Sequence, residues 1–113
     1  MKKEQFDKKN WHIEEETFGD HFAKILGKDS KRLKSFKARI IKEYNETKDL
    51  AAFLEHLKII AIAENKTALL AEKTKMKRPN IYRILSKNSN PSFSNITAIA
   101  NNLGFDFILK KSA

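Results

Sequence analysis

Lys77, Arg78 and Asn80 stand together in the chain, and Tyr82, Arg83 and Lys87 follow them at helical distances. Arginine can pair with O6 and N7 of guanine, and asparagine with N6 and N7 of adenine, each through two hydrogen bonds. The cluster therefore carries the groups that read base edges in a major groove. Tyr82, Arg83 and Lys87 fall further round or further along, where phosphates and thymine methyls are the better targets. Thr67, near the start of the preceding helix, can add a backbone contact, and Lys75 lies in the turn between the two helical segments.

Such side chains need a rigid mount, and residues 67–85 read as one: two short helices crossed at a turn. Ala71 is small where the helices must approach, Leu70 and Met76 flank the turn, and Ile81, Ile84 and Leu85 supply a buried face for the second helix. The opposite face is almost wholly basic, as a helix offered to a polyanion requires. This is a helix-turn-helix pattern. Pro79 fits the first turn of the second helix, where its missing N–H has no intrahelical partner.

No other chemistry can be assembled. His12, His21 and His56 lack metal-ligand spacing, and no nucleophile and base pair, glycine-rich phosphate loop or paired carboxylates can be built. The sequence is read as a protein that is not an enzyme, without catalytic residues, cofactor or metal.

Charge supports the polyanion. The formal net charge is +9, and it is concentrated: residues 21–48 carry nine Lys and Arg against three acids, and residues 66–87 carry seven against one. Clustering of this kind points to nucleic acid more than solubility does. At 113 residues without cysteine, the chain is expected to be one compact cytoplasmic protein without disulfides. It has neither the apolar run of a signal peptide nor the roughly 18 apolar residues of a membrane span. Three glycines and two prolines argue against a β-sandwich or barrel and for helices.

Around the crossed pair, the periodicity predicts a helix on Phe18, Phe22, Ile25 and Leu26 that stops at Gly27. A strongly amphipathic helix on Leu33, Phe36, Ile40, Ile41 and Tyr44 follows, with a basic face that is either solvated or a second DNA contact. Asp49 can cap a scaffold helix whose apolar positions are Leu50, Phe53, Leu54, Leu57, Ile60 and Ala61, ending near Asn65, a residue that tolerates a left-handed cap. Ser92 or Ser94 starts a further helix carrying Phe93, Ile96, Ile99, Ala100 and Leu103, closed by Gly104. Residues 105–110 read as a short strand with Phe105 and Phe107 on one face. The fold class is all-α, with a helix-turn-helix core in residues 49–113, an N-terminal helical extension in residues 1–48 and a short C-terminal β-strand.

From about Leu50 to Leu109 the chain resembles the Cro/repressor-type (lambda-repressor-like) helix-turn-helix proteins, and most of all the addiction-module antidotes, the HigA-like antitoxins. The resemblance lies in Leu69 to Thr74, Arg78 to Ser86, Asn90 to Phe93 and Ile99 to Phe105, in that order and spacing. Lys75 departs from it, occupying the turn position where the family usually has glycine. Either Lys75 accepts a left-handed conformation at a cost of about 1 kcal/mol, or the turn differs. The resemblance implies a protein that represses its own operon and neutralises a toxin, usually a small ribonuclease.

The expectation is a homodimer on a palindromic double-stranded DNA operator with a protein toxin as second partner. The candidate dimer contacts are the C-terminal strand around Phe105, Phe107 and Leu109 and the apolar stripe of the amphipathic helix on Leu33 to Tyr44, with the strand and the helix before it favoured. A plain phage-type or bacterial repressor without a toxin is the alternative, and an interaction module that has lost DNA binding is the third reading. The apolar residues added before Asp49, and the acidic lead-in of Glu14, Glu15, Glu16 and Asp20, suit a basic toxin, so deleting residues 1–30 is expected to weaken that complex.

Overall fold

The computed structural model describes residues 20–86, 89–109 and 111. Among the described residues six helices follow one another: α1 (20–27), α2 (Ser30–Thr47), α3 (Leu50–Ala63), α4 (Thr67–Thr74), α5 (Arg78–Ile84) and α6 (Phe93–Asn102). No helix among the described residues is long and apolar enough to cross a membrane.

Local chemistry fixes the boundaries. Asp29, Asp49 and Ser92 each accept the backbone N–H three residues ahead, satisfying a donor that the first turn of a helix leaves open. Asp49, read as a cap from the sequence, thus starts α3, and Ser92 rather than Ser94 starts α6. The C-termini of α2, α3, α4 and α6 close through left-handed residues. Asn65 (φ 56°) and Gly104 (φ 94°) lie between paired bonds, Lys66 N to Ala61 O with Asn65 N to Ile62 O, and Phe105 N to Ala100 O with Gly104 N to Asn101 O. These Schellman pairs satisfy the last carbonyls of α3 and α6. At the end of α4, Lys75 adopts φ 60°, so of the two alternatives it takes the left-handed conformation.

α3 is the centre of the core. Its Phe53, Leu54, Leu57, Ile60 and Ala61 are buried in one cluster with Phe36 and Ile40 of α2, Leu70 of α4, Ile81 and Leu85 at α5, and Ile96, Ile99, Ala100 and Leu103 at α6. Leu26 of α1 joins the same cluster, and the apolar stripe of α2 packs on α3. The stripe expected for α1 is shifted: Ala23 and Leu26 are buried, Phe22 is half-buried and Ile25 is exposed. Phe18 lies outside the described residues.

Gly27 serves packing. It is the last helical residue of α1, and a Cβ there would lie 2.7 Å from the Ala63 carbonyl oxygen at the end of α3. The lack of a side chain lets the two backbones touch. Gly27→Ala gains helix propensity but must push α1 off α3, and we expect a net loss of about 1–3 kcal/mol. A urea midpoint equal to or above that of the parent would show that α1 does not rest on Ala63.

A partly buried ionic clasp joins α2 to the far end of the chain. Glu64 pairs through Oε2 with Lys37 Nζ, and its Oε1 lies 3.2 Å from Lys66 Nζ but outside hydrogen-bonding geometry, so charge alone holds that side. The same two ammonium groups donate to the last carbonyls of α6, Lys37 to Leu103 O at 3.3 Å and Lys66 to Asn102 O at 3.4 Å. Cations at a helix C-terminus complement its dipole.

The C-terminal strand expected from the alternation of Phe105 and Phe107 is not formed. A strand needs a ladder partner, and the other described elements are all helical, so residues 105–109 have no edge to pair with. Their rings pack instead. Phe105 is buried against Phe53, and Phe107 lies between Phe53 and Phe93 at centroid distances of 6.0 and 5.7 Å. Ile108 and Leu109 are exposed.

Candidate nucleic-acid interface

α4 and α5 are joined by residues 75–77 alone and pack on each other, while α4 also packs on α6. Leu70, Ile81 and Leu85 are fully buried and Met76 and Ile84 pack around them, so α5 is seated by its apolar side. Its end is tied down by serines: Ser86 Oγ donates to Arg83 O at 2.7 Å, and Ser89 Oγ donates to Ile84 O. At its start, Lys77 is the N-cap with extended backbone, and Pro79 lies in the first turn as expected.

With the apolar side fixed, the remaining side of α5 must face outward. Lys75, Lys77, Arg78 and Arg83 are exposed, and among the described residues none of them is ion-paired. Asn80 is half-buried between them. The Arg83 Nη2 donates to its Oδ1 at 3.0 Å. Sequence spacing had set Arg83 apart from Asn80 as a phosphate contact; the structure brings the two side chains together.

Tyr82 is half-buried, and the Lys58 ammonium lies 5.6 Å from its ring centroid, within cation–π range. Lys58 belongs to α3, read from sequence only as scaffold, and sequence reasoning missed it. The available signal was its isolation, since residues 49–65 hold one basic side chain and three acids. Thr67 is only 8 % exposed, which leaves its side chain little to offer a ligand; its segment can contribute through backbone N–H groups at the start of α4. Lys87 lies outside the described residues.

The arrangement is a short, firmly seated helix that carries uncompensated positive charge, one carboxamide and one phenol on its outward side. Such a surface can neutralise phosphates and offer paired donors and acceptors to base edges. Compared with known proteins, residues 23–111 match a family model described as probable addiction module antidote protein. No curated protein and no solved structure matches.

Proposed function

The chain belongs to the probable addiction module antidote family, and from that premise we propose that it is a DNA-binding antitoxin of the cytoplasm, which represses transcription from a palindromic operator and neutralises a ribonuclease toxin. The observation that carries the DNA half is the outward side of α5, where Lys77, Arg78 and Arg83 stand exposed around Asn80 with no ion pair among the described residues. In this reading α4 and α5 are the helix-turn-helix of a lambda-repressor-like core, and α5 enters the major groove. Electrophoretic mobility shifts with the DNA upstream of its own gene test it. Binding no tighter than to random duplex would remove the repressor role.

One α5 spans only a few base pairs, so reading a palindrome calls for two copies about 34 Å apart. The surface suited to a second copy is the apolar group at the start of α6 and the end of the chain, with Phe93 67 % and Ile108 78 % exposed beside Phe107 and Leu109. Phe93→Ser combined with Leu109→Ser is expected to convert a dimer to a monomer in sedimentation and to weaken operator binding. A parent chain that is monomeric at micromolar concentration, and stays so on DNA, contradicts this mode.

The toxin half rests on the family and on the segment ahead of α3. The acidic side chains expected to meet a basic toxin are Asp20, exposed at the start of α1, and Glu14 to Glu16, which lie outside the described residues. Deleting residues 1–30 is too coarse a test, because Ala23 and Leu26 are fully buried and their loss would damage the core. Removal of residues 1–19 spares them. We expect this truncation to keep operator binding and to lose affinity for the toxin encoded by the neighbouring gene in co-purification. Undiminished affinity excludes the N-terminal segment, and the absence of a toxin gene beside this one leaves a plain repressor.

A further inference from the structure

Asn80 and Arg83 form a single unit on α5. The Arg83 Nη2 donates to Asn80 Oδ1 at 3.0 Å across one helical turn, with Arg83 exposed and Asn80 half-buried. A carboxamide turns about its last torsion in a broad, nearly two-fold potential, so a solitary asparagine presents either its oxygen or its amino group. Guanidinium is a donor with no acceptor and can pair only with the oxygen. Arg83 therefore selects one of the two orientations before any ligand arrives.

In that orientation the Nδ2 amino group is turned away from Arg83 and free to donate, while Oδ1 keeps a second lone pair. A donor beside an acceptor is the complement of adenine in the major groove, which presents the N7 acceptor and the N6 donor side by side. Guanine presents two acceptors there and would set O6 against the held oxygen. A guanidinium engaged in this way also has a use that does not depend on reaching a phosphate, although its position in sequence suggested one.

We propose that Arg83 is a positioning residue for Asn80, and that the pair together selects adenine at one base position of the target duplex. The proposal rests on the reading of α5 as the DNA-contacting helix. Lys58 over the Tyr82 ring steadies the adjoining residue from the α3 side, so the pair stands on a helix held both beneath and beside it.

The two roles open to Arg83 differ in a measurable way. Losing a phosphate contact lowers the slope of log affinity against log salt by about 0.9 and leaves base preference alone. Losing a positioning residue leaves the slope and removes preference at one position. The experiment takes duplexes enriched from a random library by the full chain, substitutes each base in turn, and measures binding across a salt series for the parent, Asn80→Ala, Arg83→Met, Arg83→Lys and the Asn80→Ala/Arg83→Met double variant.

The expected result is that Arg83→Met loses roughly 5- to 150-fold preference for adenine at the same position as Asn80→Ala, at an unchanged salt slope. The double variant is expected to be no worse than Asn80→Ala alone, since the guanidinium acts through the carboxamide. Arg83→Lys keeps the charge but lacks the planar fork, and is expected to bind random duplex like the parent without restoring the preference. A reduced slope with adenine preference intact, or additive losses in the double variant, overturns the assignment while leaving α5 as a DNA-binding helix. Failure of the parent to enrich any sequence overturns both.

Discussion

Asn80→Ala and Arg78→Ala are each expected to weaken operator binding by about 1–3 kcal/mol and to relax preference at one base pair, with binding to random duplex close to that of the parent. The expectation follows from where the two side chains stand. Arg78 is the first residue of α5 and is exposed, and Asn80 lies one position past Pro79 with its carboxamide oriented by Arg83. Both belong to the leading turn of the helix, the part that reaches deepest when a recognition helix enters the major groove. Lys87→Ala is expected to behave differently, lowering affinity for specific and random duplexes alike, because a phosphate contact carries no sequence information. Gel shifts in which both α5 variants hold the operator as tightly as the parent would remove α5 from base reading.

Signals confined to a few neighbouring residues were legible in the sequence. Asp49 as a cap, Asn65 as a left-handed stop, Pro79 in a first turn, Gly104 after α6 and the conformational question at Lys75 are all decided by φ, by a missing N–H or by a short side chain reaching its own backbone. Features that depend on distant residues were not. Gly27 reads as a stop, and only the Ala63 carbonyl beside it shows that it is a point of backbone contact. Lys37 reads as one more basic residue of α2, yet it reaches Leu103 O across 66 positions.

The tail makes the same point in reverse. Alternating Phe105 and Phe107 satisfies the pattern of a strand, but pattern alone cannot supply the ladder partner, and the rings pack on Phe53 and Phe93 instead. On α5, residue types carried the expectation of base reading, and the structure places Lys77, Arg78 and Arg83 on its exposed side. What they could not announce was the pairing of Arg83 with Asn80 or the approach of Lys58 to Tyr82, since the first depends on rotamers and the second on how α3 crosses α5.

Phe36→Ala is expected to destabilise the whole described fold by about 3–5 kcal/mol, the usual cost of emptying a buried phenylalanine site. Phe36 is 7 % exposed, meets Phe22 of α1 and His56 of α3 edge-on at 5.6 Å each, and belongs to the same cluster as Leu57, Ile81 and Leu103. Its neighbour Lys37 carries the clasp to Glu64 and to the end of α6, so loosening α2 also uncaps α6. A domain's entire stability is about 5–15 kcal/mol, and the loss should therefore show as a large fall in the urea midpoint with a single transition. Amide exchange then separates two pictures of the chain. If α2 and the α3 to α6 unit share one core, the amides of Leu103 and Phe105 lose protection along with those of Ile40. If protection falls only in α1 and α2 while α6 exchanges as in the parent, the N-terminal helices are an appendage and α5 stands without them.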